Sequence, residues 1–221
     1  SEDCKYTTLK RSTLINFLKK DLVNIIKTDY NISKIEQNNK KIKLSFQNNE
    51  IIVCDYLIIS DGVFSKSKSL ISNNKIKPKY NNTLAIRGIL TKSPEKIDNK
   101  NIALFLGSNF HHVTYPVNTS GDLNFIAIMK YKLSVEEQKN YPLFSDNSFI
   151  QKVFEKIPLK NKEFLNDLKE LKIFPVFVSE NFYKLKNDNI HIIGDAFFAF
   201  SPSFAQGAWQ SIEGAYELFK S

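Results

Sequence analysis

Ile190-His191-Ile192-Ile193-Gly194-Asp195-Ala196-Phe197-Phe198-Ala199-Phe200-Ser201-Pro202-Ser203-Phe204-Ala205-Gln206-Gly207-Ala208 is the stretch whose reading decides the fold. It predicts a short apolar strand, an abrupt Gly-Asp, a loop containing a proline, and a Gln-Gly pair that opens a helix reaching Phe219. A strand that stops at Gly-Asp lets a carboxylate project from its carboxyl end with no bulky neighbour. In open parallel sheets that edge is where ligands bind. A helix that opens at glycine leaves free backbone N–H groups and a positive dipole end facing the same space. The same residues also suit a plain strand–turn–helix connection.

A second corner of this kind lies upstream. Asp55-Tyr56-Leu57-Ile58-Ile59 is an apolar run suited to a buried parallel strand. It ends in Ser60-Asp61-Gly62-Val63-Phe64-Ser65, with Ser65 opening a short helix to Ile71. Two such corners imply two strand ends meeting at one cleft. Before them, Leu14, Phe17, Leu18, Leu22, Ile25 and Ile26 repeat at helical spacing after Arg11, with Ser12 or Thr13 as the cap. From Tyr30 to Cys54 the period becomes two, with turns at Asn-Asn-Lys-Lys and Asn48-Asn49-Glu50, and a small antiparallel unit is expected.

The middle of the chain has a different architecture. Thr83–Thr91, Asn101–Leu106, His112–Val117 and Leu123–Tyr131 read as four strands of an antiparallel meander. Phe149–Ile157 and Lys162–Leu168 read as helical, and Leu171–Val178 as a strand interrupted by Pro175. The fold class is therefore mixed α/β (α+β), with the meander inserted into a doubly cornered α/β domain. Expected boundaries are 1–75, 76–178 and 179–221.

The 221 residues, 42% hydrophobic, suffice for one large domain or two small ones with real cores. The net charge is +8, yet the lysines are scattered, and no basic run interleaves with aromatics on one element, so no nucleic-acid partner is expected. Arg11 and Arg87 are the two arginines in a lysine-dominated chain, retained for a planar fork or by chance. Cys4 and Cys54 have neither metal nor redox spacing and read as free thiols in a reducing compartment. No apolar run approaches the roughly 18 residues of a membrane span. A cytoplasmic protein is expected, with peripheral membrane contact left open.

Tyr56 to Ser65 resembles the Asp-Gly motif of the FAD-dependent aromatic hydroxylases, the para-hydroxybenzoate hydroxylase-like class that includes salicylate and ubiquinone-pathway monooxygenases. Gly194-Asp195, Pro202 and Gln206-Gly207-Ala208 resemble that class's second FAD motif. Ile86-Arg87-Gly88, Phe105-Leu106-Gly107 and His112 to Val117 resemble its substrate-domain sheet, and Arg11 with Leu14 the head of a family helix. The family's GxGxxG unit occurs nowhere in the sequence, nor does the acidic residue that follows it. With its abrupt start at Ser1, the chain is expected to be a fragment lacking that unit and inactive alone. Phe197 and Phe198 stand where the family often has a histidine, and Ala205 replaces a usual glycine.

The resemblance implies a partial FAD-binding Rossmann-like domain with an inserted antiparallel substrate domain. It implies hydroxylation of a small aromatic substrate with NAD(P)H and O2, through a flavin C4a-hydroperoxide. A related reductase or halogenase, or a non-catalytic flavin-binding or interaction module, is the alternative. Implied cofactor contacts are Arg11, Asp61, Gly62, Gly194, Asp195, Pro202, Gln206, Gly207 and Ala208. Asp195 accepts from the ribityl hydroxyls, and Gly207 and Ala208 donate to the flavin N1–C2=O edge. Pro202 lies beside the flavin ring or stiffens its loop, and Asp61 organises the nucleotide region or only its own turn. Arg87 holds a substrate carboxylate or phenolate, or joins a sheet-edge ion pair. No protein residue is expected to be catalytic and no metal site is expected. His111 and His112 face opposite ways along one strand, so at most one can serve the site. Phe197, Phe198, Phe200 and Phe204 form an apolar wall or a core.

Overall fold

The computed structural model describes residues 8–38, 40–72, 77–91, 101–159, 163–179, 185, 188–202 and 206–221. In chain order the elements are α1 (Arg11–Lys19), β1 (Ile32–Asn38), β2 (Lys41–Phe46), β3 (Ile51–Cys54), β4 (Leu57–Ile59) and α2 (Lys66–Ile71). Then come β5 (Lys79–Leu90), β6 (Ala103–Leu106), β7 (Phe110–Pro116), β8 (Leu123–Lys130) and α3 (Asn147–Glu155). Last are β9 (Lys169–Val178), β10 (Ile190–Ile192), α4 (Gly194–Phe197) and α5 (Gly207–Lys220). Short 3₁₀ turns at Tyr141–Ser145 and Glu163–Asp167 flank α3. The chain divides into two compact units, one of Ser1–Ile25 with Asn82–Val176, the other of Ile26–Asn81 with Phe177–Ser221.

The first unit is built on the sheet β6-β7-β8-β5-β9. All four expected strands form and pair antiparallel, but only β6, β7 and β8 make a meander: β5 lies beside β8 rather than β6, with Arg87 opposite Ile126, and Tyr115 of β7 stands opposite Asn124. Alternation puts Leu84, Ile86, Leu90, Leu123, Phe125, Ala127 and Met129 on the buried face. Phe149, Val153 and Phe154 of α3 and Leu165 and Leu168 are buried with them. Gly88 lies in this layer, where a Cβ would come within 2.9 Å of Leu168 Cδ2. Pro175 does not interrupt its strand: β9 is a sheet edge, the position in a sheet where proline is tolerated.

The second unit pairs a three-stranded antiparallel sheet, β1-β2-β3, with a parallel pair, β10 and β4. Ile190, His191 and Ile192 stand opposite Leu57, Ile58 and Ile59. Ile42, Leu44, Phe46, Ile59, Ile190 and Ala196 form its core, backed by Tyr30, Ile32, Ile35 and Leu57. At the amino ends of the parallel strands, the Asn189 amide donates to the Lys40 and Asp55 carbonyls, 3.0 Å each, and accepts from Gln37 at 2.7 Å.

The expected helix from Arg11 to Ile26 is shorter. It stops at Lys19, turns follow to Ile25, and the cap position is Lys10 rather than Ser12 or Thr13, with no side-chain bond. Phe17 and Ile25 are each 73% exposed, so the apolar face has no cover among the described residues. Helices of this length draw their stability mainly from packing, and an uncovered pattern does not extend the turn. Of the expected helix over 162–168, residue 162 lies outside the described residues and Glu163–Asp167 form a 3₁₀ turn. Cys54 is a free, partly buried thiol, its pKa raised by burial first and by the neighbouring Asp55 charge second. Cys4 and Phe204 lie outside the described residues. No described helix is long and apolar enough to cross a membrane.

Candidate functional site

Two corners meet at the carboxyl ends of β4 and β10. The Ile193 N–H donates to the Ile59 carbonyl at 2.9 Å, carrying the parallel pairing up to Gly194. Gly194 takes φ +58°, a left-handed conformation that side chains rarely adopt, and a Cβ there would lie 3.1 Å from Ser211 Oγ on α5. The backbone conformation demands glycine, and the close approach to Ser211 adds to the cost of any side chain. The turn that follows is α4, one helical turn where the sequence suggests an irregular loop, and it leaves Asp195 exposed.

Gly194, Asp195, Phe197, Phe198, Phe200, Gly207 and Gln210 line a cleft of about 360 Å³. α5 begins at Gly207 with no side chain capping its first turn. Its leading N–H groups therefore lack partners within the helix and carry the positive end of its dipole. A Cβ on Gly207 would meet nothing within 4 Å among the described residues. The Gln210 side-chain oxygen is buried and has no hydrogen-bond partner among the described residues. The cleft thus combines an acceptor carboxylate, backbone donors, an unsatisfied amide oxygen and an aromatic wall.

The other corner is built differently. Gly62 has φ +83°. The Asp61 carboxylate accepts the Ser67 N–H at 3.0 Å, and Ser65 caps α2 by accepting the Lys68 N–H at 2.9 Å. Burial alone raises the Asp61 pKa, but hydrogen bonds from Ser65 and Ser67 outweigh it and hold the group below its ordinary value. Asp61 is thus engaged at the head of its own helix. Lys68, on the same turn, is 4% exposed, and its ammonium donates to the Ala196 carbonyl at 2.8 Å. Burial lowers its pKa and the Asp61 charge partly restores it. Sequence reasoning passes over Lys68, because nothing marks one lysine among so many.

Of the residues expected at the cofactor, the structure brings Gly194, Asp195 and Gly207 together around the cleft, with Gln206 and Ala208 flanking Gly207. Pro202 is partly buried on the connecting loop. Asp61 and Gly62 sit at the neighbouring strand end. Arg11, at the start of α1, and Arg87 belong to the first unit. Arg87 is exposed on the sheet face opposite the core, which it shares with Val113, Tyr115, Asn124 and Ile126. Burial raises the Tyr115 hydroxyl pKa, and the Arg87 charge and a bond with Asn124 offset part of that rise. His112 turns into the core, stacked on Phe105 at 4.3 Å, and His111 takes the Arg87 face. No metal-ligand cluster occurs among the described residues.

The family model described as an FAD binding domain matches residues 20–221. A salicylate hydroxylase of Pseudomonas putida is 24% identical over 214 residues, covering 84% of this chain and 47% of that protein. The chain thus spans about half the length of the curated relatives it matches. The fold is similar to that of CtdE in complex with FAD and a substrate, with TM-score 0.70, 18% identity, and coverage of 91% of this chain and 53% of that one. It is also similar to a salicylate hydroxylase substrate complex, with TM-score 0.68, 18% identity, and coverage of 93% and 55%.

Proposed function

This chain belongs to the FAD binding domain family, and on that premise we propose that it serves an FAD-dependent monooxygenase that hydroxylates a small aromatic substrate. The single observation that carries the reading is the cleft where the Asp195 carboxylate and the uncapped start of α5 face one space. These groups fit the cofactor: a carboxylate accepts from sugar-alcohol hydroxyls, helix-start N–H groups favour an electron-rich carbonyl edge, and the buried Gln210 oxygen lacks a donor among the described residues. Asp195 would bind the ribityl chain, Gly207 and Ala208 the flavin N1–C2=O edge, and the phenylalanine wall would keep water from the ring. When bound, FAD supplies hydride acceptance from NAD(P)H and activation of O2.

The protein's own work is orientation and electrostatics. Arg87, on a sheet face that also carries Val113, Tyr115, Asn124 and Ile126, suits a substrate carboxylate or phenolate through its planar fork. Overall, substrate, O2, NAD(P)H and a proton give hydroxylated substrate, water and NAD(P)+. Titration of the protein with FAD, followed by flavin fluorescence, tests the site. Asp195→Ala is expected to weaken binding by about tenfold or more, the loss of hydrogen bonds to a charged acceptor. Unchanged affinity would remove Asp195 from the site. Incorporation of labelled O2 into product separates hydroxylation from reduction or halogenation by a related flavoenzyme.

A further inference from the structure

Lys68 is the one charged side chain buried among the described residues. Lysine is rarely buried, because taking its ammonium out of water is costly unless a partner compensates. Here the partner is the Ala196 carbonyl, 2.8 Å away and 128 residues distant in sequence. Ala196 is fully buried and follows Asp195 directly. It belongs to α4, a four-residue turn held internally by the bond from the Phe198 N–H to the Gly194 carbonyl. So short a turn does not support itself. Its orientation, and that of Asp195, depends on outside ties. The helix that supplies the tie is itself anchored at the other corner, by Ser65 and Asp61.

We propose that Lys68 is a positioning residue for FAD: its ammonium group joins the two strand-end corners and holds Asp195 at the cleft. The inference rests on the reading that Asp195 faces FAD. The charged groups on the elements around α2 are Asp61 at its head, Lys34 and Glu36 on β1, paired with each other at 2.8 Å, and Asp195 on α4. Of these, Asp61 acts on the ammonium. A charge-assisted bond is roughly twice as strong as a neutral one. The tie therefore weakens when Lys68 loses its proton, and burial brings that loss to lower pH than for an ordinary lysine.

The test is calorimetric titration of FAD into the unaltered protein and into Lys68→Met, Lys68→Arg and Asp195→Ala, from about pH 7 to about pH 10, the approach to the lysine range. Lys68→Met is expected to bind FAD about tenfold more weakly throughout. Lys68→Arg keeps both charge and donors, and is expected to restore affinity and abolish the alkaline fall that the unaltered protein shows. If Lys68→Met binds as tightly as the unaltered protein while Asp195→Ala binds weakly, the inference is wrong and the site reading stands. If Asp195→Ala binds normally, or the unaltered protein takes up no FAD, the site reading fails and the inference with it. Should Lys68→Met not fold, the pH comparison with Lys68→Arg decides: an alkaline fall of equal size in both overturns the proposal.

Discussion

The five-stranded sheet and the parallel pair β4–β10 spend their apolar residues differently. In the first, Leu84, Ile86, Leu90, Leu123, Phe125 and Ala127 are all wholly shielded from water. In the second, Ile59 and Ile190 are buried, but Ile58 between them in the ladder is 54% exposed. The wide sheet stores packing energy on one face and leaves the other to Arg87. The narrow pair spends little on packing and ends in glycines, a carboxylate and a helix start. Binding loops are commonly drawn from the less stable parts of a structure, because they must accommodate a ligand.

The sharpest way to break this contrast is paired truncation. Phe125→Ala is expected to cost about 3–5 kcal/mol of unfolding free energy, lost transfer energy plus a cavity. Ile58→Ala is expected to change it by less than about 0.5 kcal/mol, as at other surface positions. Urea unfolding measures both, and equal losses would abolish the distinction.

A smaller effect tests the buried face by pH. His112 is 3% exposed, its Nδ1 has no partner, and burial, with the nearby His111 charge, lowers its pKa from 6.5 to about 4. The folded state thus keeps His112 neutral while the unfolded chain protonates it. Its contribution is present above pH 6.5 and is lost as pH falls toward about 4. Allowing for screening by water, about 2 kcal/mol is expected to disappear across that window. His112→Leu should flatten this part of the stability–pH curve, and an unchanged slope would place the acid sensitivity elsewhere.

The smallest effect concerns the corner itself. Ser65→Ala removes the cap of α2 and is expected to cost about 1 kcal/mol in a thermal melt. A loss near zero would mean that Asp61 alone secures the head of that helix.

Much of the fold was legible from local pattern. Period-two alternation marked β5 to β8, apolar runs ending in Asp-Gly or Gly-Asp marked β4 and β10, and Gln206-Gly207 marked the start of α5. These signals are local because strand pleat, left-handed turns and helix starts are decided by neighbouring residues. The candidate cleft was legible to the same extent, through Gly194, Asp195 and Gly207. The α1 segment was not: helical spacing over Leu14 to Ile26 predicted a longer helix, but extension depends on a covering surface that spacing cannot supply.

By itself the sequence determined which segments form strands, where glycine is required, and which corners can present a carboxylate or free N–H groups, while the placing of β5 beside β8 was left to the tertiary structure. Only the tertiary structure decided which histidine turns into the core, and that β9 is an edge able to carry Pro175. Only it showed that one lysine among many is buried against Ala196. Each of these depends on contacts between residues far apart in the chain. Desolvation, which sets the protonation of His112 and the cost of Lys68, exists only once those distant residues have excluded water.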